Sequence, residues 1–390
     1  VPQENYSMVK KRLFTPGPTP VPEEVLLELA RPVGYHRSAE AKEILGEVVR
    51  GLQEVLQTSQ PVYVLTCSGT GAMEAAVTNV VAAGEKVILC TAGRWGERWR
   101  GILKAYGAQI VAVEAPYGQA ISAEQLAGAL AAHRDAVAVF ATLCETSTGV
   151  GHDIAAFGRV VATSGALLVV DGISGIGAME CRMDAWGVDV VVSGSQKALM
   201  MPPGLAYIAV SERGWRKIEA TPVRNFYFDL RRYRKALAEG PDTPFTAANT
   251  LIRAQRLSLE RIRSEGIEQM WRRHERLAQA TRAAVQALGL ELFAQRPSNA
   301  LTVIRVPSGV DGSGVLKQLE KEYGYKLADG QDTLKGKIWR LSHMGYVDPF
   351  DVLGAIAALE LVLTTQGVAV TLGAGVSAFQ RAYAAAESRL

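Results

Sequence analysis

The chain reads as an α/β protein, with a large domain on a mostly parallel sheet and a smaller α+β domain at the C-terminal end. Three observations predict this. Short apolar runs alternate with helical patterns through most of the first two thirds, as when crossover helices join parallel strands. A second alternation of strand-like runs begins after about residue 265, beyond a long charged helix. A length of 390 residues with 48% hydrophobic content can bury large cores and favours two domains over one.

The expected division is an N-terminal arm over 1–15, a large domain over 16–265 and a smaller domain over 266–390. TPGPTPVPEE, before the first helix, is rich in proline and reads as an extended segment that meets something other than its own sheet. The expected strands are PVYVLTC (61–67), KVILCT (86–91), QIVAVEA (109–115), AVAVFATL (136–143), ALLVVDG (166–172) and VDVVVSG (188–194). Between them, stretches such as GAMEAAVTNVVA and AEQLAGALAAH are long enough for crossover helices. Residues 221–249, rich in Arg and Pro, read as an irregular rim of the site or of a subunit contact. A charged helix follows from about Thr250 to Leu288, interrupted near Gly266. ALTVIRVP, KIWRLSHMG and the closing helix VLGAIAALELVLTTQ make up the smaller domain.

A net charge of +3, from 42 basic and 39 acidic side chains, gives no reason to expect nucleic acid or an anionic membrane as partner. The basic run Arg253 to Arg282 is broken by Glu260, Glu265, Glu268 and Glu275, which predicts an ion-paired helix face. Cys67, Cys90, Cys144 and Cys181 are scattered and form no CxxC pair, so reduced buried thiols are expected rather than a zinc site or disulfides. The histidines are too dispersed for a metal centre. VPQENYSMVKKRLF has no apolar leader core and no segment approaches 18 consecutive apolar residues, so a cytoplasmic location is expected.

In an open α/β sheet, ligands collect at the carboxyl ends of the strands. Ser68-Gly69-Thr70-Gly71-Ala72 lies between a strand and a helix, where free amides and the helix dipole can cradle a phosphate. Such turns are also glycine-rich for purely conformational reasons, and neither a Walker lysine nor the GxGxxG spacing is present. Asp171, ending an apolar strand, is either a surface carboxylate or the partner of a protonated ring nitrogen. Lys197, in SGSQK, is either a solvated charge or an amine that desolvation prepares for a Schiff base. Trp95, in TAGRWGER, either packs or stacks on a planar ring. Arg340, inside the apolar strand KIWRLS, needs an internal carboxylate or a substrate carboxylate. Together these five features describe a pyridoxal-phosphate enzyme acting on an amino acid.

TPGPTPVP, CSGTGAMEAA, RWGER, ETSTGV, VVDGISGIGA and SGSQKALMMPPG resemble the class V aminotransferases, in the alanine-glyoxylate, serine-glyoxylate and serine-pyruvate group. The resemblance runs from about Leu13 to Leu363. It implies the fold-type I architecture, with a seven-stranded type of sheet and a homodimer whose active sites are shared. It further implies pyridoxal 5'-phosphate as cofactor and transamination from alanine or serine to glyoxylate or pyruvate.

Matched by position, Lys197 is the Schiff-base lysine, Asp171 the partner of the pyridine nitrogen and Trp95 the stacked ring. Thr70, Gly71 and Ala72 match the phosphate turn, and Gln196 a residue that also reaches the phosphate. Thr146 matches a hydroxyl near the ring, and Ile173 lies against it. Thr243 and Thr246 match positions that reach the neighbouring subunit's cofactor phosphate. Arg340 matches the substrate-carboxylate arginine, with Gly17 also on the substrate side. Ala72 stands where some relatives have histidine, and Thr243 where some have tyrosine. Cysteine desulfuration fits poorly, because all four cysteines precede residue 182. Decarboxylation or β-elimination would use the same cofactor contacts. An aspartate donor would need a second cation, with Arg37 and Arg94 as candidates. A hydrogenase-associated subunit with a partner-binding role is the reading from a different class.

Overall fold

The computed structural model describes residues 8–387. Seven strands form the central sheet: Val62–Leu65 (β1), Lys86–Thr91 (β2), Gln109–Glu114 (β3), Ala138–Thr142 (β4), Leu167–Asp171 (β5), Val190–Gly194 (β6) and Ala206–Val210 (β7). Their spatial order is β1-β7-β6-β5-β4-β2-β3. All neighbours are parallel except β7, which runs antiparallel to both β1 and β6. β4 to β7 are buried along their whole length because the sheet is covered on both faces, which explains their unbroken apolar character. The edge strand β3 is only partly covered.

The six expected strands are all present. β7 was not expected, because a five-residue run containing two alanines is too short for periodicity to separate strand from helix. Its reversal matters for the site, since the β6–β7 connection is the loop that carries Lys197.

A second sheet contains Leu301–Arg305 (β8), Ala328–Asp329 (β9) and Ile338–Ser342 (β10), in the antiparallel order β8-β10-β9. The N-terminal segment joins this part of the molecule. Arg12–Leu13 pair in parallel with Tyr325–Lys326, and Ser342 N donates to Phe14 O at 2.9 Å. Phe14 is buried in the same apolar cluster as Trp339 and Leu341. The next residues cross to the large sheet, where Thr19 Oγ1 donates to Lys197 O at 2.8 Å. The core on one face of the large sheet also continues into Leu301 and Val303.

The long charged helix is broken where the sequence indicates: Asn249–Glu265 and Ile267–Ala287 meet at Gly266, whose φ of +84° favours glycine. Several of its basic residues are ion-paired, Arg261 with Glu24 at 2.7 Å, Arg263 with Glu54 at 2.9 Å and Arg273 with Glu265 at 2.6 Å. Residues 221–249 are not irregular throughout, since Asp229 caps a helix over Leu230–Ala238. Beyond the closing helix Pro349–Thr365 lies a further helix, Ala374–Glu387, which the sequence reading did not name. All four cysteines are free thiols. Among the described residues, no helix is long and apolar enough to cross a membrane.

Candidate active site

The carboxyl ends of β2, β4, β5 and β6 point to one edge of the large sheet, because these strands are mutually parallel. A cavity of about 420 Å³ opens there, closed on its other sides by Thr15–Gly17, by Ala328 and Gln331, and by Arg340 of β10. Lys197, Asp171, Ile173, Gln196, Trp95, Thr146, Thr70, Gly17 and Arg340 all line it.

Lys197 is 8% exposed, and its Nζ donates to Pro16 O. Burial pulls its pKa down to about 8, with the positive charges of Arg340 and Arg98 acting in the same direction. About a tenth of this amine is therefore neutral, and nucleophilic, at pH 7, far more than of a solvated lysine. Gly17 is required by this approach. A Cβ at Gly17 would run into the Lys197 side chain, and its φ of +123° is a conformation that side chains rarely adopt. Asp171, 4% exposed, has its carboxyl raised to about 6, chiefly by burial. Its Oδ1 accepts from Ile173 N at 2.8 Å, which turns Ile173 back along the cavity wall.

The helix Gly69–Val80 starts at the cavity with Ser68 as N-cap, and the Ser68 side chain makes no capping bond. Gly71 N and Ala72 N turn back to Ser68 O, at 2.8 and 3.4 Å. Gly69 N and Thr70 N meet no protein acceptor among the described residues, so two amides at a positive helix end remain for an anion. Gly71 and Ala72 do not line the cavity. A Cβ on Gly71 would meet Cys67 Sγ at 2.7 Å, on the packed side of the helix. Ser68 and Gly69, part of the glycine-rich turn read from the sequence as a phosphate cradle but not among the residues matched by position, do line it.

Trp95 occupies the first turn of the helix Arg94–Ala105. Its indole Nε1 donates to Thr146 Oγ1 at 2.7 Å. Arg98, one turn on, lies over the indole with its guanidinium carbon 4.5 Å from the ring centre, and donates to Thr70 Oγ1 at 2.8 Å. Arg98 was also missed, although its place three residues after Trp95 puts both on one helix face. Glu145 is 1% exposed and accepts from Trp95 N at 2.9 Å, Gly96 N at 3.2 Å and Ser147 Oγ at 2.5 Å. Burial raises its carboxyl to about 7 against the pull of these bonds.

Arg340 is 6% exposed. Its Nε donates to Asp329 O at 2.8 Å, and Nη1 to Thr146 O at 3.2 Å and Gln331 Oε1 at 3.4 Å. Carbonyl oxygens, rather than a carboxylate, therefore take its hydrogen bonds, and the guanidinium lines the cavity.

Thr243 and Thr246 stand apart from this cavity. Thr243 Oγ1 donates to Phe245 O at 2.8 Å, and Thr246 is exposed. Arg37 pairs with Asp242 at 3.1 Å and Arg94 with both carboxylate oxygens of Asp332 at 3.0 Å.

The donor set fits pyridoxal 5'-phosphate. An amine of lowered pKa suits its aldehyde, a buried carboxyl its ring nitrogen, an indole its ring, and two open amides at a helix end its phosphate. Gln196 Oε1, buried without a hydrogen-bond partner among the described residues, adds a polar group that a ligand would complete.

Comparison with known proteins agrees with this chemistry. A family model described as Aminotransferase class-V matches residues 13–347. The chain is 43% identical over 379 residues to a protein named soluble hydrogenase, small subunit, from a Synechococcus species, a match covering 95% of this chain and 98% of the relative. It is 37% identical over 379 residues to the L-aspartate–glyoxylate aminotransferase of Paracoccus denitrificans, covering 95% and 96%. The crystal structure of ureidoglycine-glyoxylate aminotransferase from Bacillus subtilis superposes with a TM-score of 0.93 at 29% identity, covering 98% of this chain and 100% of that one. The chain belongs to the class-V aminotransferases and is a pyridoxal-phosphate-dependent transaminase that exchanges an amino group between an amino acid and a 2-oxo acid.

Proposed function

We propose that this enzyme moves the amino group of a small neutral amino acid, alanine or serine, to glyoxylate or pyruvate. The observation that carries the reading is Arg340, a buried guanidinium held by carbonyls and left to pair with one carboxylate. A dicarboxylate donor would need a second free cation. Arg37 and Arg94 are each tied to an aspartate; Arg98 lines the same cavity without a carboxylate partner among the described residues, but its guanidinium is turned to the Thr70 hydroxyl and the Trp95 face.

When bound, pyridoxal phosphate supplies the aldehyde that receives the amino group and a ring that withdraws electrons from the substrate's α-carbon. Lys197 Nζ anchors the cofactor and, once released, takes up the α-proton as a base whose pKa of about 8 suits that task. Asp171 holds the ring nitrogen, and Trp95, Thr146 and Ile173 hold the ring in place. Ser68, Gly69 and Thr70, with Gln196, hold the phosphate. Arg340 fixes the substrate carboxylate, with Gly17 lining the substrate side. Thr243 and Thr246, lying off their own chain's cavity, fit a role at the site of a second subunit in a homodimer.

A panel of alanine, serine and aspartate as donors against glyoxylate, pyruvate and 2-oxoglutarate tests the proposal. Alanine or serine with glyoxylate or pyruvate is expected to exceed aspartate in kcat/KM by at least about tenfold, the cost of one unpaired carboxylate at about 1.4 kcal/mol or more. The reverse order overturns the small-donor reading in favour of an aspartate donor, the activity named for the Paracoccus relative.

A further inference from the structure

We propose that Glu145 is a positioning residue that ties the cofactor-stacking indole and the carboxylate-binding guanidinium to one buried point. The inference rests on the roles given above to Trp95 and Arg340. The helix that carries Trp95 begins after Gly93, which has no side chain to cap it. Its cap comes instead from the tripeptide Glu145-Thr146-Ser147. One Glu145 oxygen accepts from Trp95 N at 2.9 Å and Gly96 N at 3.2 Å. The other accepts from Ser147 N at 3.2 Å and Ser147 Oγ at 2.5 Å, and Ser147 Oγ itself accepts from Arg94 N at 3.0 Å. The first three amides of the helix are thus all satisfied from this one tripeptide. A carboxylate at a helix N-terminus is also favoured by the dipole.

Thr146, the middle residue, carries the connection to the reacting groups. Its hydroxyl accepts from the Trp95 indole at 2.7 Å, and its carbonyl accepts from Arg340 at 3.2 Å. Trp95 belongs to the large sheet's helices and Arg340 to the second sheet, so they share this anchor and no direct contact is needed. The packing allows little slack. A Cβ on Gly93 would stand 2.5 Å from Glu145 Cδ and from Ser147 Oγ.

The test uses the holoenzyme of Glu145→Gln, which keeps the side chain's size and one acceptor oxygen but removes the charge and one acceptor. Visible circular dichroism per bound cofactor reports the ring's fixed asymmetric setting, and KM for donor and acceptor reports the clamp. The dichroism is expected to fall at least about twofold and both KM values to rise at least about fivefold, with kcat changing less. Ser147→Ala, which removes one hydroxyl, is expected to shift the same quantities less, and it carries the test if Glu145→Gln does not fold. Unchanged dichroism and unchanged KM values, even with a lowered Tm, would reduce Glu145 to a helix cap and overturn the proposal. Trp95→Phe and Arg340→Lys serve as references. If the first leaves the dichroism intact and the second leaves both KM values intact, the roles of Trp95 and Arg340 fail, and the inference fails with them.

Discussion

Two helices start at strand ends of the same sheet and face the same cavity, yet their first turns are finished in opposite ways. At Gly69–Val80 the cap residue Ser68 makes no side-chain bond, and the amides of Gly69 and Thr70 meet no protein acceptor among the described residues. At Arg94–Ala105 the buried Glu145 and its neighbour Ser147 take up all three leading amides. Each helix presents a positive end that an anion stabilises. The protein supplies that anion from its own chain in one case and leaves it to a ligand in the other. A helix end with its own carboxylate is architecture, whereas one without is a binding site in waiting, provided that other cofactor-directed groups converge on it.

The sharpest way to separate ligand from architecture is to remove the group that the ligand joins. Lys197→Ala is expected to abolish turnover, by at least about 10⁴-fold, because it deletes both the anchoring amine and the base. Steady-state transamination assays check this, and substantial residual activity would assign the base elsewhere.

Making the open helix end resemble the closed one comes next. Ser68→Asp would place a carboxylate at the helix end proposed to hold the phosphate. Cofactor affinity is expected to weaken by about 100-fold, roughly 2.7 kcal/mol, while Tm without cofactor holds or rises from the improved cap. Titration of the apoprotein with pyridoxal phosphate and a thermal melt measure the two effects. An unchanged affinity would show that the phosphate lies elsewhere.

The smallest effect concerns the amine between the two helix ends. Only the neutral form of Lys197 attacks an aldehyde. Because its pKa is lowered to about 8, the reactive fraction grows as pH rises towards and through that value. The rate at which apoprotein takes up pyridoxal phosphate should therefore rise about tenfold between pH 7 and pH 9, then level off. Stopped-flow absorbance measures it, and a rate still climbing steeply above pH 9 would indicate an ordinary solvated lysine.

The chemistry of the cavity was legible residue by residue where a side chain broke a regular pattern. Asp171 at the end of an apolar strand, Lys197 in a short polar loop and Arg340 inside an apolar run each had an ordinary alternative alone, and it was their combination at strand ends that pointed to cofactor chemistry. The phosphate turn was read as Ser68 to Ala72, and of these Ser68, Gly69 and Thr70 line the cavity. The residue string does not reveal where the helix begins, and Gly71 and Ala72 already lie within its first turn. Arg98 lay unnoticed in a helix rich in charge, and Glu145 in a short motif noted for its threonine. Neither residue type is rare on a surface, and only burial reveals what it does.

Alternating apolar runs were enough to specify a mostly parallel sheet, its six main strands and the break at Gly266, because these depend on periodicity and on backbone freedom along the chain itself. The antiparallel seventh strand, the attachment of residues 12–14 to the second sheet, and the meeting of Glu145, Trp95 and Arg340 depend on contacts between segments that lie from a dozen to more than 300 residues apart. Such contacts arise only when the layers close over one another and bury their polar groups. The reactive residues could therefore be named from the sequence, whereas the common anchor that aligns them came from the packed fold.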